Sequence, residues 1–278
     1  MWIAAAFVTM VSFGTNNTIF RWSSGKGLSK VHLQLFFYLV AFVATLSYGL
    51  MHGILHMKVT TLLLGSLIGI LNANGNIQMS KAFEKGPASL TSPLVGINAI
   101  FPILSAGFIF HEHITGLQWV GILVMLGSAI AIQYSPGPNR VSNYLPWMTR
   151  VVFSIFSFGL LGIVMKTTSF LHISSLETLI AMYGGGGVYL AFCSFLNKEK
   201  WQKSEINIGG LVGIISILGY SSYFYALGTG TASIVFPIVS LNCLVVVLAG
   251  LLFFKEKLKK YQVVGVFTAL LGILFTKI

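Results

Sequence analysis

Ten apolar runs, each close to the length of about 20 residues that an α-helix needs to cross a bilayer core, dominate this chain. They fall at roughly 2–21, 31–52, 59–80, 86–110, 115–134, 145–166, 174–196, 206–227, 231–254 and 259–276. In lipid each backbone amide and carbonyl must be satisfied within its own segment, so runs of this length are helices. With 55% of residues hydrophobic and 8% charged, the chain has too little polar surface for a water-soluble globule. The expected fold class is an all-α integral membrane protein with ten transmembrane helices.

The chain also repeats itself. An offset of 144 residues lays Ala226 to Ser233 under Ala82 to Ser89, and the match continues without a gap: Pro93 meets Pro237, Asn98 meets Asn242, Glu112 meets Glu256, and Gln118 and Gly121 meet Gln262 and Gly265. From Ala82 to Gln133, 14 of 52 aligned positions are identical, more than shared hydrophobic composition gives. An offset of 145 extends the match to the start of each half, where Ser12-Phe13-Gly14 and Arg21 meet Ser157-Phe158-Gly159 and Lys166, and Tyr38 meets Tyr183. The polar stretch 135–143 separates a first repeat at 1–134 from a second at 144–278. Five spans per copy is an odd number, so the second copy is expected to enter the membrane upside down relative to the first. Such inverted repeats build carriers that rock about a site near the midplane.

Charge sets the remaining bounds. The net charge of +11 arises from basic residues in short loops between apolar runs, where lipid headgroups account for them, and no nucleic-acid partner is expected. The loops after the odd-numbered spans hold fourteen Lys and Arg and the opposite side only Lys58, Lys166 and Lys277, which places those loops in the cytoplasm and both termini outside. Met1-Trp2-Ile3 has no basic segment before it, so the first run is read as a span and not as a removable signal. Cys193 and Cys243 fall within spans without metal-ligand spacing and are read as packing residues.

Several features together resemble two EamA-like units of the drug/metabolite transporter superfamily. They are Phe13-Gly14 with a basic residue closing the first span, Gly86-Pro87-Ala88-Ser89 leading into Pro93, His111-Glu112-His113, Gln118 with Gly121, and Gly127. The second half repeats them as Gly230-Thr231-Ala232-Ser233, Pro237, Lys255-Glu256-Lys257, Gln262 with Gly265, and Gly272. The resemblance implies a ten-helix carrier with a central cavity lined mainly by helices 1, 3, 4, 6, 8 and 9, and cytoplasmic termini, against the charge count. It leaves the cargo open among amino acids, sugars, nucleotide sugars, amines and drugs.

Candidate site residues follow from polar groups at membrane depth. Asn98 and Asn242 sit at the centres of the fourth and ninth runs, and a carboxamide there must find a partner, either across the helix interface or in a solute. Pro93 and Pro237, five residues earlier, either free carbonyls for the site or kink the helix. The third run holds Asn72, Asn74, Asn76 and Gln78. A spacing of four puts Asn72 and Asn76 on one face, assigned to the cavity, and Asn74 and Gln78 on another that bonds a neighbouring helix. Thr15-Asn16-Asn17-Thr18 after Gly14 marks either a loosened helix around a ligand or interhelical bonding. Tyr220 and Tyr223, with Phe224 and Tyr225, offer either cation–π faces or packing. The run Gly184 to Gly187 lacks the Lys of a phosphate loop and reads as close helix contact or a hinge.

The expected substrate-binding set is therefore Asn98, Asn242, Asn72, Asn76, Asn16, Asn17, Tyr220 and Tyr223. Glu177 is read as the end of a capping box with Ser174 or as a proton-coupling group; its repeat mate His32 is the second coupling candidate, expected at headgroup level. Glu112 and Glu256 are expected at the interface. No metal, cofactor or catalytic residue is expected, since His111 and His113 point to different sides of a helix and no nucleophile–base set or carboxylate pair is present. The expected function is alternating-access transport of a small polar or zwitterionic metabolite, such as an amino acid, by a multi-pass protein of a bacterial plasma membrane, with the lipid bilayer as its surroundings and a homodimer compatible with it. The rivals are an organic-cation or drug exporter, against which the scarcity of buried acids counts, a lipid flippase and a structural subunit.

Overall fold

The computed structural model describes residues 1–86, 88–134, 144–197, 201–253 and 259–276. The linker expected at 135–143, Pro87, and Lys255, Glu256 and Lys257 lie outside the described residues. The elements in order are α1 (Trp2–Ser24), α2 (Lys30–Met51), α3 (Val59–Lys85), α4 (Ala88–Gly96), α5 (Ile100–Phe108), α6 (Gly116–Gln133), α7 (Tyr144–Phe170), α8 (Ser175–Asn197), α9 (Lys203–Thr229), α10 (Ala232–Ser240), α11 (Asn242–Phe253) and α12 (Lys260–Phe275). No strand occurs among the described residues. Eight helical stretches are long and apolar enough to cross a membrane. Two of the ten expected runs fall outside that set for different reasons. Asn72, Asn74, Asn76 and Gln78 dilute α3, and α12 is a shorter apolar helix.

Side chains that a soluble protein would bury face outward instead. Leu211, Ile214 and Leu218 on α9 are all more than half exposed at three- and four-residue spacing, which suits a lipid-facing stripe. The opposite face of the same helix carries Val212, Ser216, Tyr220 and Tyr223, all buried.

Packing partners exchange between the two halves. α3 packs on α7 and α8, and α9 packs correspondingly on α1 and α2; α2 meets α8, and α6 meets α12. Repeat mates Tyr38 and Tyr183 touch edge to face where α2 crosses α8, with ring centres 5.7 Å apart and planes at 87°. Both rings are fully buried. Glycines permit these crossings. A Cβ on Gly69 would lie 2.0 Å from the Met182 carbonyl oxygen, and one on Gly186 would lie 2.2 Å from the Tyr38 ring, so the glycine run of α8 serves close helix contact.

Two expected spans are broken near their centres. The fourth run divides into α4 and α5 through a 3₁₀ turn at Ile97–Ala99, and the ninth into α10 and α11 at Leu241. Pro93 and Pro237 sit inside α4 and α10, where each removes an amide donor and crowds the preceding turn. α1, in contrast, runs unbroken from Trp2 to Ser24, which corrects the alternative of a loosened helix at Thr15–Thr18. The Thr15 and Thr18 hydroxyls donate to the Val11 and Gly14 carbonyls at 2.8 Å, within the helix. Gly14 instead allows close approach, since a Cβ there would stand 2.6 Å from the Asn242 carbonyl oxygen.

Candidate functional site

A cavity of about 1220 Å³ lies between the halves. It reaches the end of the bundle where α1 finishes at Phe20 and Arg21, α2 begins at Lys30, α3 ends near Phe83, and α12 begins beyond Lys259. Along α7 its lining runs from Phe158 to Met165. The eight residues expected to bind substrate, Asn16, Asn17, Asn72, Asn76, Asn98, Asn242, Tyr220 and Tyr223, all line it.

One wall is built of amides. Asn72 donates to the Tyr38 hydroxyl at 2.7 Å, that hydroxyl donates to the Gly69 carbonyl at 3.2 Å, and Asn76 donates to the Asn72 carbonyl at 2.9 Å. The other face of α3 bonds elsewhere. Asn74 donates to Ser157 at 2.9 Å and accepts from the Tyr189 hydroxyl at 3.1 Å, while Gln78 accepts from Arg150 at 2.8 Å. The second wall is aromatic. Phe13 lies 4.7 Å from Tyr220 and 5.8 Å from Tyr223, and Phe236 meets Tyr223 edge-on at 6.0 Å. Tyr225 turns away and is half exposed.

Asn98 and Asn242 reinforce the helix breaks. Their side-chain amides donate to the carbonyls of Val95 and Val239, three residues earlier, at 2.6 and 2.9 Å. They differ in what meets the amide oxygen, which is paired at Asn242 and, among the described residues, not at Asn98. Asn17 donates to Asn242 Oδ1 at 3.1 Å, but the repeat mate of Asn17 is Gly162, and Asn98 Oδ1 has no partner among the described residues. One carboxamide oxygen of the pair is therefore left to the cavity.

The other end of the bundle is latched. His111 takes a left-handed conformation with φ 51° and turns Glu112 toward α10. Glu112 accepts from the amides of Ala232 and Ser233, each at 2.9 Å, and from the Ser233 hydroxyl at 3.0 Å, while Lys166 Nζ lies 3.0 Å from it. Its carboxylate thus satisfies orphan donors at a helix start and neutralises a lysine of the opposite half. Burial pushes the Glu112 pKa up, but the Ser233 and Ala232 amides and the Lys166 ammonium outweigh it and hold the carboxyl below its ordinary value.

The two coupling candidates lie outside the cavity lining. His32 is 0% exposed, with Nδ1 3.1 Å from Glu205 Oε2. Glu205, 1% exposed, also accepts from the amides of Ser29 at 2.8 Å and Gln202 at 3.0 Å, so one carboxylate caps both α2 and α9. Two of its partners, Ser29 and His32, stand on the other half of the chain. Glu177 reaches across to accept from the His56 amide ahead of α3. A glutamine retains that acceptor, so Glu177→Gln is expected to cost less than about 1 kcal/mol of stability and to leave the pH dependence of transport unchanged, as measured by uptake between pH 5 and 8. Loss of proton dependence would make Glu177 the coupling group.

Further polar lining residues lie outside the expected set, among them Lys30, Gln34, Ser216 and Gln133. Ser216 accepts from Asn16 at 3.0 Å, and Gln133 accepts from Ser92 at 2.6 Å. Only Lys30 and Gln34 carried a local signal, as a polar pair four residues apart at the start of a span.

Residues 1–134 and 145–278 each match the model of the EamA-like transporter family. The chain is 22% identical over 210 residues to an uncharacterised protein of Haemophilus influenzae, a match covering 74% of this chain and 72% of that protein. A solved crystal structure superposes with a TM-score of 0.83 at 12% identity, covering 98% of this chain and 94% of the other. At that identity the likeness is one of fold.

Proposed function

Because the chain belongs to the EamA-like transporter family, within the drug/metabolite transporter superfamily, we propose that it carries a small polar or zwitterionic metabolite across a bacterial plasma membrane by alternating access. In this reading α3 and α12 also span the bilayer, making ten spans in two inverted five-span copies. The observation that carries it is a single cavity lined by matching residues of both copies, Asn98 and Asn242 foremost, reaching one end of the bundle while Glu112 and Lys166 tie the other. α3 supports the reading, because its amides weaken it as a lipid-facing helix but suit a wall against water and solute.

Among the described residues no Asp or Glu lines the cavity, whereas Arg21, Lys30 and Lys259 do. This favours a zwitterion over an organic cation, which would need a counter-charge at this depth. The open end lies on the side of the fourteen basic loop residues, so by the charge count this conformation faces the cytoplasm. A tag on either terminus is then expected to be reachable by antibody on intact cells. Protection of both tags would reverse the orientation, and the same conformation would face outward.

The direct test is a thermal-shift screen of the purified protein against amino acids, sugars, nucleosides and quaternary amines. A cargo present at a hundred times its Kd is expected to stabilise the folded state by about 2.7 kcal/mol. Stabilisation by quaternary amines alone would select the cation exporter instead.

A further inference from the structure

We propose that the first two turns of α2 form a headgroup subsite in which Lys30 takes the carboxylate of the transported solute and the side-chain carbonyl of Gln34 takes its ammonium. The substrate class this assigns is a zwitterion with both groups on neighbouring atoms, as in an α-amino acid. The inference rests on the carrier reading and names which end of the solute the cavity recognises.

Lys30 and Gln34 stand one turn apart on one face of α2, about 6 Å along its axis, and both line the cavity. Gln34 is 2% exposed, and its Oε1 is buried without a hydrogen-bond partner among the described residues. A buried carbonyl left unpaired costs free energy that an arriving N–H donor would recover. Asn16 Oδ1 on α1, in a residue 5% exposed and lining the same cavity, is a second unpartnered acceptor. Lys30 holds its ammonium 5.4 Å from the Phe83 ring centre. The carboxylate whose field reaches it, Glu84, is not a lining residue.

These groups discriminate by charge pattern. A simple carboxylic acid satisfies Lys30 but leaves both buried acceptors unmet. A simple amine meets the acceptors but leaves the Lys30 ammonium unmet and brings a second cation beside it. A zwitterion meets both demands. The aromatic wall of Phe13, Tyr220, Tyr223 and Phe236 then faces the rest of the molecule.

The test titrates the full-length protein, by thermal shift and by counterflow in proteoliposomes, with proteinogenic amino acids, each beside the amine lacking its carboxylate and the acid lacking its amine. At least one amino acid is expected to bind about tenfold or more tightly than both of its single-charge analogues. Lys30→Met and Gln34→Leu are each expected to weaken that amino acid about tenfold, and Lys30→Arg to restore it. An amine or acid binding as tightly as its parent amino acid would overturn the assignment, as would unchanged affinity in both Lys30→Met and Gln34→Leu. The analogue series on the unaltered protein decides the matter even if a variant fails to fold. Binding confined to sugars or nucleosides would sink the zwitterion subsite and leave the carrier standing. Vesicles that bind solutes but move none would instead sink the carrier reading.

Discussion

Asn98→Leu and Asn242→Leu are each expected to abolish solute uptake in proteoliposomes, by roughly a hundredfold, while leaving monodisperse protein. Each carboxamide has two tasks. Its N–H group closes the helix break onto Val95 or Val239, and its oxygen either accepts from Asn17, at Asn242, or has no partner among the described residues, at Asn98. Leucine matches the volume but supplies neither group, so a break carbonyl loses its donor and either Asn17 or the solute loses its acceptor, at about 1–3 kcal/mol for each unmet bond. The effects should differ in kind. At Asn242 the substitution also frees the Asn17 amide, whereas at Asn98 it removes an acceptor without a protein partner among the described residues. Both substitutions are therefore expected to loosen a helix break, with Asn98→Leu acting in addition on solute affinity and Asn242→Leu on the contact between α1 and α11. Undiminished uptake in both variants would remove the pair from the site.

The second large effect is expected at the latch. Removing one member of a mostly buried ion pair leaves the other without compensation, and Glu112 also satisfies two amides and a hydroxyl at the start of α10. Its side chain is 13% and that of Lys166 11% exposed, so water recovers part of the loss, and about 2–3 kcal/mol remains. If this cluster forms only while that end is shut, Glu112→Ala moves the equilibrium toward the opposite-facing state by roughly a hundredfold. The readout is labelling of a cavity cysteine from the latched side, which should rise sharply; labelling equal to that of the unaltered protein would make the cluster mere scaffolding. The pH dependence has a defined sign. Because the folded pKa of Glu112 is depressed, its contribution is fully present above the ordinary carboxylate value and is lost only as pH falls through the lower folded value. The latch should accordingly hold from neutral pH down to about pH 5.

Features that depend on one helix were legible in the amino-acid order. The apolar runs mark the helices, and the four-residue spacing of Asn72 and Asn76 separates them from Asn74 and Gln78, which bond Ser157 and Arg150. Features made by two distant segments were not. The burial of His32 was not, because its partner Glu205 stands 173 residues away on the other copy. The spacing of Lys30 and Gln34 was visible, but the unpaired Gln34 oxygen was not, because pairing is a property of packing. Gly14 pointed toward flexibility but in fact admits the backbone at Asn242. α1 keeps its course through Asn16 and Asn17, with the threonine hydroxyls satisfied on carbonyls within the helix.

Alternating exposure of one cavity is the claim on which transport depends, and Ser240, which lines that cavity, offers a reporter. In a Cys193→Ser, Cys243→Ala background, Ser240→Cys would be exposed to a membrane-impermeant thiol reagent from one face of oriented vesicles and then from the other, with and without cargo. The account predicts labelling from both faces, with cargo gradients raising one rate as they lower the other. Labelling from a single face under every condition, in protein that still binds cargo, would contradict it.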